Sequence, residues 1–186
     1  MAFFAGAILS SSNADIIEFT PTGAAGEGLL PGNIDPPTGS TGSGGVGTTG
    51  ITFNTETNIL SVDLLWGSEF GFSDLTGDVT LLHLHGPVDP GMDGWGQVNT
   101  NILVELQNSL NFDPTRDGGG VRDEYFLSNE QAQWLLDSRT YINVHTEMYP
   151  MGELRGYLMN NNVPEPAALP AIAVGMLAAL SRRKKV

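Results

Sequence analysis

An all-β fold, an antiparallel β-sandwich or barrel with one short helix, is the class this sequence predicts, on three observations. Residues 59–66 alternate cleanly, with Leu60, Val62, Leu64 and Trp66 on one side and Ser61 and Asp63 on the other. That period of two is the signature of a half-buried strand. Further short apolar runs follow, each ended by a segment rich in Gly, Pro, Asn or Asp, the spacing of a sandwich of ~7–8 strands. A single segment carries helix-start chemistry, Ser128-Asn129-Glu130-Gln131, in which serine and the glutamine three residues on form a capping box. With 186 residues the chain is long enough for one domain with a real core plus processing segments.

In chain order, residues 1–14 begin with an apolar stretch and end in Ser12-Asn13-Ala14. Small residues there fit a signal-peptidase site. No basic residue precedes the apolar stretch, so it is read as a truncated signal peptide, with the mature domain spanning 15–160. Residues 22–50 are rich in Gly, Thr, Ser and Pro and read as a long loop or weakly ordered edge. Strands are then expected at 50–53, 59–66, 79–85 and 102–106, with a turn at 54–58 and loops at 89–96 and 108–120. The helix after Ser128 is expected to bury Trp134, Leu135 and Leu136. Strands at 140–145 and 153–159 close the domain, and no internal repeat is present.

Charge excludes one large class of function. Of the eight basic residues, Arg182, Arg183, Lys184 and Lys185 sit at the extreme C-terminus, which leaves Arg116, Arg122, Arg139 and Arg155 against 21 acids in the rest of the chain. Such a surface repels phosphate backbones and attracts cations, so nucleic acid is not an expected partner. There is no cysteine, hence neither a disulfide nor a thiolate metal site.

The histidines are the informative residues. There are three, two of them in His83-Leu84-His85 and the third in Asn143-Val144-His145. On a strand, His83 and His85 share one face while Leu82 and Leu84 share the other. Two imidazoles on one strand and a third from a neighbour make either a transition-metal site or a hydrogen-bonded polar cluster. In the second reading His83 and His85 bond to loop carbonyls and to Glu147 or Glu153, and Arg155 forms a structural ion pair within a Glu–Arg–His lattice. Other chemistry is thinner. Asp89-Pro90-Gly91-Met92-Asp93-Gly94 and Asp113-Pro114-Thr115-Arg116-Asp117-Gly118 place carboxylates as calcium loops do, but the same dipeptides are ordinary turn formers. Trp66 and Trp134 read as core, and Trp95 as exposed.

The C-terminus has three parts in order: Pro164-Glu165-Pro166, the apolar run 167–180, and the basic cluster that includes Arg182 and Arg183. The run is short of the ~20 residues of a comfortable membrane span, and its basic end belongs on the cytoplasmic side. This layout, over residues 163–186, closely resembles the PEP-CTERM sorting signal of Gram-negative bacteria. The resemblance implies export, recognition by an exosortase as partner, transient inner-membrane anchoring by 167–180, and work in the cell envelope or extracellular matrix, where exopolysaccharide is produced.

The body resembles the CHRD domain, the module first described in chordin. The matching stretches are 53–62, then Leu82-His83-Leu84-His85-Gly86-Pro87, and last Tyr141-Ile142-Asn143-Val144-His145-Thr146 through Pro150-Met151-Gly152-Glu153-Leu154-Arg155-Gly156. Residues 108–123 look like an insertion relative to that pattern. The module implies no assigned enzymatic activity but a binding or structural role toward an envelope protein or polysaccharide. A more distant likeness, to the copper half of Cu/Zn superoxide dismutase, implies a Greek-key sandwich with His83, His85 and His145 as copper ligands. That likeness places Glu153 where the dismutase carries its substrate-guiding arginine, so copper binding without fast superoxide turnover is what it implies here.

Overall fold

The strands of this chain pair into a single antiparallel sheet. In the computed structural model, which describes residues 15–89 and 100–162, they are β1 (Ile16–Gly23), β2 (Gly26–Glu27), β3 (Gly44–Asn54), β4 (Ile59–Trp66) and β5 (Val79–His85). They continue as β6 (Ile102–Glu105), β7 (Phe112–Asp113), β8 (Gly120–Phe126), β9 (Tyr141–Thr146) and β10 (Leu154–Asn160), with helix α1 (Asn129–Leu136) between β8 and β9. The expected signal peptide, most of the loop that holds Trp95, and the sorting segment lie outside the described residues.

The hydrogen-bonded order is β6-β5-β9-β10-β1-β3-β4-β8-β7, with β2 attached to β1. So long a sheet of twisted strands curls, and here the curl brings its two ends together. A 3-10 turn, Leu106–Asn108, sits in the gap. Leu106 is fully buried, its carbonyl accepts the Tyr125 hydroxyl of β8 at 2.8 Å, and the neighbouring Gln107 side chain accepts the Leu82 N–H of β5 at 3.1 Å. Val79 of β5 donates its N–H to the Pro114 carbonyl just beyond β7 at 2.8 Å. The result is a curled half-barrel around one apolar core in which Phe53, Leu60, Leu64, Trp66, Leu82, Leu84, Ile142, Val144 and Leu158 meet.

The all-β class and the single helix are as the sequence predicts. Helix α1 starts at the Ser128 cap, with both arms of the capping box made: the Ser128 hydroxyl takes the Gln131 N–H, and the Gln131 side chain takes the Ser128 N–H at 2.9 Å. Its buried residues are Ala132 and Leu135, with Leu136 packed at the core's edge. Trp134, expected inside, is only half-buried, because at helical spacing it falls off the Ala132–Leu135 stripe.

Two expectations need correction. Residues 22–50 are not one long loop: β1 runs to Gly23 and β3 starts at Gly44. The glycines of β3 hid it from periodicity, and a bulge interrupts its register between Val46 and Ile51, at Gly50 with φ +67°. The loop expected at 108–120 likewise holds β7, and β8, a strand the sequence reading did not expect, starts at its last residue, Gly120. There the inward Val121 and Tyr125 are interleaved with Arg122, Asp123 and Glu124, which dilutes the apolar signal.

Candidate functional site

The register of three strands assembles the histidines. Between β5 and β9, His83 faces Asn143, His85 faces Tyr141 and Leu81 faces His145. Between β9 and β10, Asn143 faces Arg155 and Tyr141 faces Tyr157. Alternation sends Leu82, Leu84, Ile142 and Val144 into the core, so His83, His85, Tyr141, Asn143, His145, Arg155 and Tyr157 share the opposite face. Loops cover that face, and all three histidines are less than a tenth exposed.

The imidazoles converge. One potential ligand nitrogen from each of His83, His85 and His145 lies within 4.8 Å of the others. The rings of His83 and His145 are 5.0 Å apart, and those of His83 and His85 5.3 Å, both edge to face.

Backbone carbonyls decide which ring nitrogen carries the proton. His85 Nδ1 lies 3.0 Å from the Thr100 carbonyl, and His145 Nδ1 lies 2.9 Å from the Pro150 carbonyl. A carbonyl only accepts, so both Nδ1 atoms donate and both Nε2 atoms carry the lone pair. His145 Nε2 is met at 3.2 Å by the Asn143 amide nitrogen, which also donates to the Met151 carbonyl at 3.3 Å. His85 Nε2 and His83 Nδ1 are buried and have no hydrogen-bond partner.

Burial also keeps the rings neutral. It pushes His83 down to about 4, helped by the nearby His145 and His85 and opposed by Glu105 across the β5–β6 pair. Burial lowers His85 and His145 too, the Thr100 and Pro150 carbonyls pulling the other way and the Arg155 charge adding to the depression. At neutral pH the cluster is therefore three uncharged imidazoles, the form that ligates metals.

The two glutamates are placed differently from the expectation that they bond to imidazoles. Glu147 is exposed. Glu153 is fully buried, but its carboxylate turns to hydroxyls and a backbone amide, not to imidazoles. It accepts from Ser40 at 2.6 Å, from the Thr76 N–H and hydroxyl at 2.9 and 2.7 Å, and from Thr146 at 2.5 Å. It ties two loops to the end of β9. Arg155, also buried, lays its guanidinium over the Tyr141 ring at 4.3 Å. Tyr141 in turn stacks on His85 at 4.9 Å with the planes 5° apart. The Asp113 loop spends its carboxylate on Thr115, as an Asx turn does.

Sequence reasoning missed Asn143 and Tyr141. Both were legible: they stand two and four residues before His145 on a strand, hence on its face. Gly152, at φ +123°, is also part of the site, since a Cβ there would come within 2.5 Å of the Asn143 amide.

A His-x-His strand beside a His strand that closes through Gly-Glu-Leu-Arg-Gly is the pattern of the CHRD module, and the family model for the CHRD domain matches residues 7–158. This chain belongs to the CHRD family. The model for the PEP-CTERM protein-sorting motif matches residues 162–185. The CHRD protein is thus sorted by an exosortase and exported through a Gram-negative envelope. No curated protein and no solved structure matches it. Among the described residues no helix is long and apolar enough to cross a membrane.

Proposed function

We propose that this CHRD protein works in the cell envelope or extracellular matrix as a binding protein, and that its histidine face binds a transition metal, copper above all. One observation carries the reading. His85 Nε2 and His83 Nδ1 are buried without a partner, in a cluster whose potential ligand atoms lie within 4.8 Å of one another. An unsatisfied buried nitrogen costs about 1–3 kcal/mol, and two in one cluster need a reason. A metal ion supplies one.

The donor set fits the ion. Neutral imidazoles suit copper and zinc. The Thr100 and Pro150 carbonyls hold two of the rings as outer partners of metal-bound histidines do. His83, His85 and His145 would hold the metal, Asn143 would yield His145 Nε2 to it, and Tyr141 would fix the His85 ring. A bound copper would supply one-electron redox chemistry. Fast superoxide turnover is not part of the proposal: residues 15–160 set four arginines against 20 acids, and such a field repels an anionic substrate. Exosortase delivers the protein to its place of work, with residues 167–180 holding it in the inner membrane on the way, and an envelope protein or polysaccharide is its expected neighbour there.

The test is metal content and copper affinity of the purified protein beside a His83→Ala/His85→Ala variant. Stoichiometric copper that disappears in the variant is the expected result. No metal in either, and no difference in affinity, would make the histidines structural.

A further inference from the structure

We propose that Met148 and Met151 form an outer thioether site for a soft monovalent cation, copper(I), on the hairpin that holds His145. From there the ion passes inward to the histidine cluster. The passing-on step rests on the metal reading above; the thioether site does not.

The hairpin between β9 and β10 has two functional sides. Its inner side is backbone: the Pro150 carbonyl holds His145 Nδ1, and the Met151 carbonyl holds the Asn143 amide that covers His145 Nε2. Its outer side is thioether. Met148 is 68% exposed and Met151 69%. Both line one cavity of about 350 Å³ that also takes in Ile34, Pro36, Pro150 and Arg155. Leaving a methionine in water forgoes about 1.5–3 kcal/mol of burial free energy, and here two are left out, three positions apart on one short loop.

What distinguishes methionine from the other apolar residues is its sulfur donor. Thioethers prefer copper(I) over harder ions, whereas calcium and magnesium require oxygen sets. Asp35 is the single carboxylate in this lining, so the cavity offers hard cations little. Two thioethers bind weakly, as suits a site that must release its ion. Position completes the argument. An ion held at Met151 pulls on the residue whose carbonyl anchors Asn143, and once that anchor slackens the amide leaves His145 Nε2 open. The transfer is ligand exchange: thioether bonds to copper(I) break as imidazole bonds form, and no electron moves.

The experiment is anaerobic copper(I) titration of the full chain against a chromophoric copper(I) chelator. It is run for the wild type, for Met148→Leu/Met151→Leu and for His83→Ala/His85→Ala, with X-ray absorption to detect sulfur around copper. Leucine conserves volume at exposed positions, so the first variant keeps the fold. Expected are two copper(I) ions in the wild type. The leucine variant takes one and fills it more slowly than the wild type fills its histidine site. The histidine variant keeps one, with sulfur in its coordination shell. A leucine variant that matches the wild type in both stoichiometry and rate overturns the proposal. If the wild type and the histidine variant each take one ion and the leucine variant takes none, the thioether site stands and the histidine site falls.

Discussion

A buried imidazole that stays neutral makes stability depend on pH in a direction fixed by its shift. His83 is held down to about 4 from an ordinary 6.5, and His85 and His145 are lowered by the same burial. Between those two values the unfolded chain binds protons that the folded one does not, so stability rises with pH there. It is fully present above about pH 6.5 and is lost as pH falls toward 4. Asp63, lowered from 3.8 by Arg122 and Thr49 against the burial that raises it, loses its contribution only below that value, so the two windows separate. Urea titrations at a series of pH values should show the loss between 6.5 and 4, and His83→Gln should flatten it. An unchanged slope in the variant would mean that His83 titrates normally. At this scale the sequence was half legible. The i, i+2 spacing places His83 and His85 on one face and pairs Asn143 with His145. Glu153 was misread, because nothing local announces that Ser40, Thr76 and Thr146, far apart in the chain, will surround its carboxylate.

Among the elements, helix α1 shows what local chemistry settles by itself. Its start is written in four residues, and both capping bonds form between neighbours in the chain. Ser128→Ala removes the acceptor for the Gln131 N–H, which should cost about 1 kcal/mol. In urea this should appear as a lower midpoint at unchanged slope. A loss of several kcal/mol would mean that Ser128 does more than cap. Strand β3 is the opposite case. It pairs with β1 on one side and β4 on the other, yet its first half, Gly44-Gly45-Val46-Gly47, has the composition of a loop. Its strand character comes from neighbours that supply the ladder, and β propensity is context of this kind more than an intrinsic preference. β8 escaped for a related reason: Asp123 falls on the same face as Val121 and Tyr125 and breaks the apolar alternation that would have marked the strand.

At the level of the whole molecule, long-range pairing built the site and a terminal signal decides where it works. β5 and β9 are separated by more than fifty residues in sequence, and only their pairing, with β10 alongside, brings the histidines together. No composition or spacing rule specifies that partnership, and the family resemblance supplied it. The sorting motif matches residues 162–185. A sorting signal is an address read by a receptor, so folding and sorting should be separable by mutation. The variant that tests this replaces Pro164, Glu165 and Pro166 with alanine. Export should still begin, because the exosortase acts at the C-terminal end of the chain. The variant should therefore accumulate in the inner-membrane fraction, as the proposed hold of residues 167–180 on that membrane requires, with wild-type circular dichroism and wild-type thermal unfolding once purified. Cell fractionation followed by immunodetection reads the outcome. Release of the triple variant at the wild-type level would show that Pro164-Glu165-Pro166 is not what the sorting machinery reads in this chain. A variant that is retained but misfolded would instead tie the tail to the sheet, against that separation.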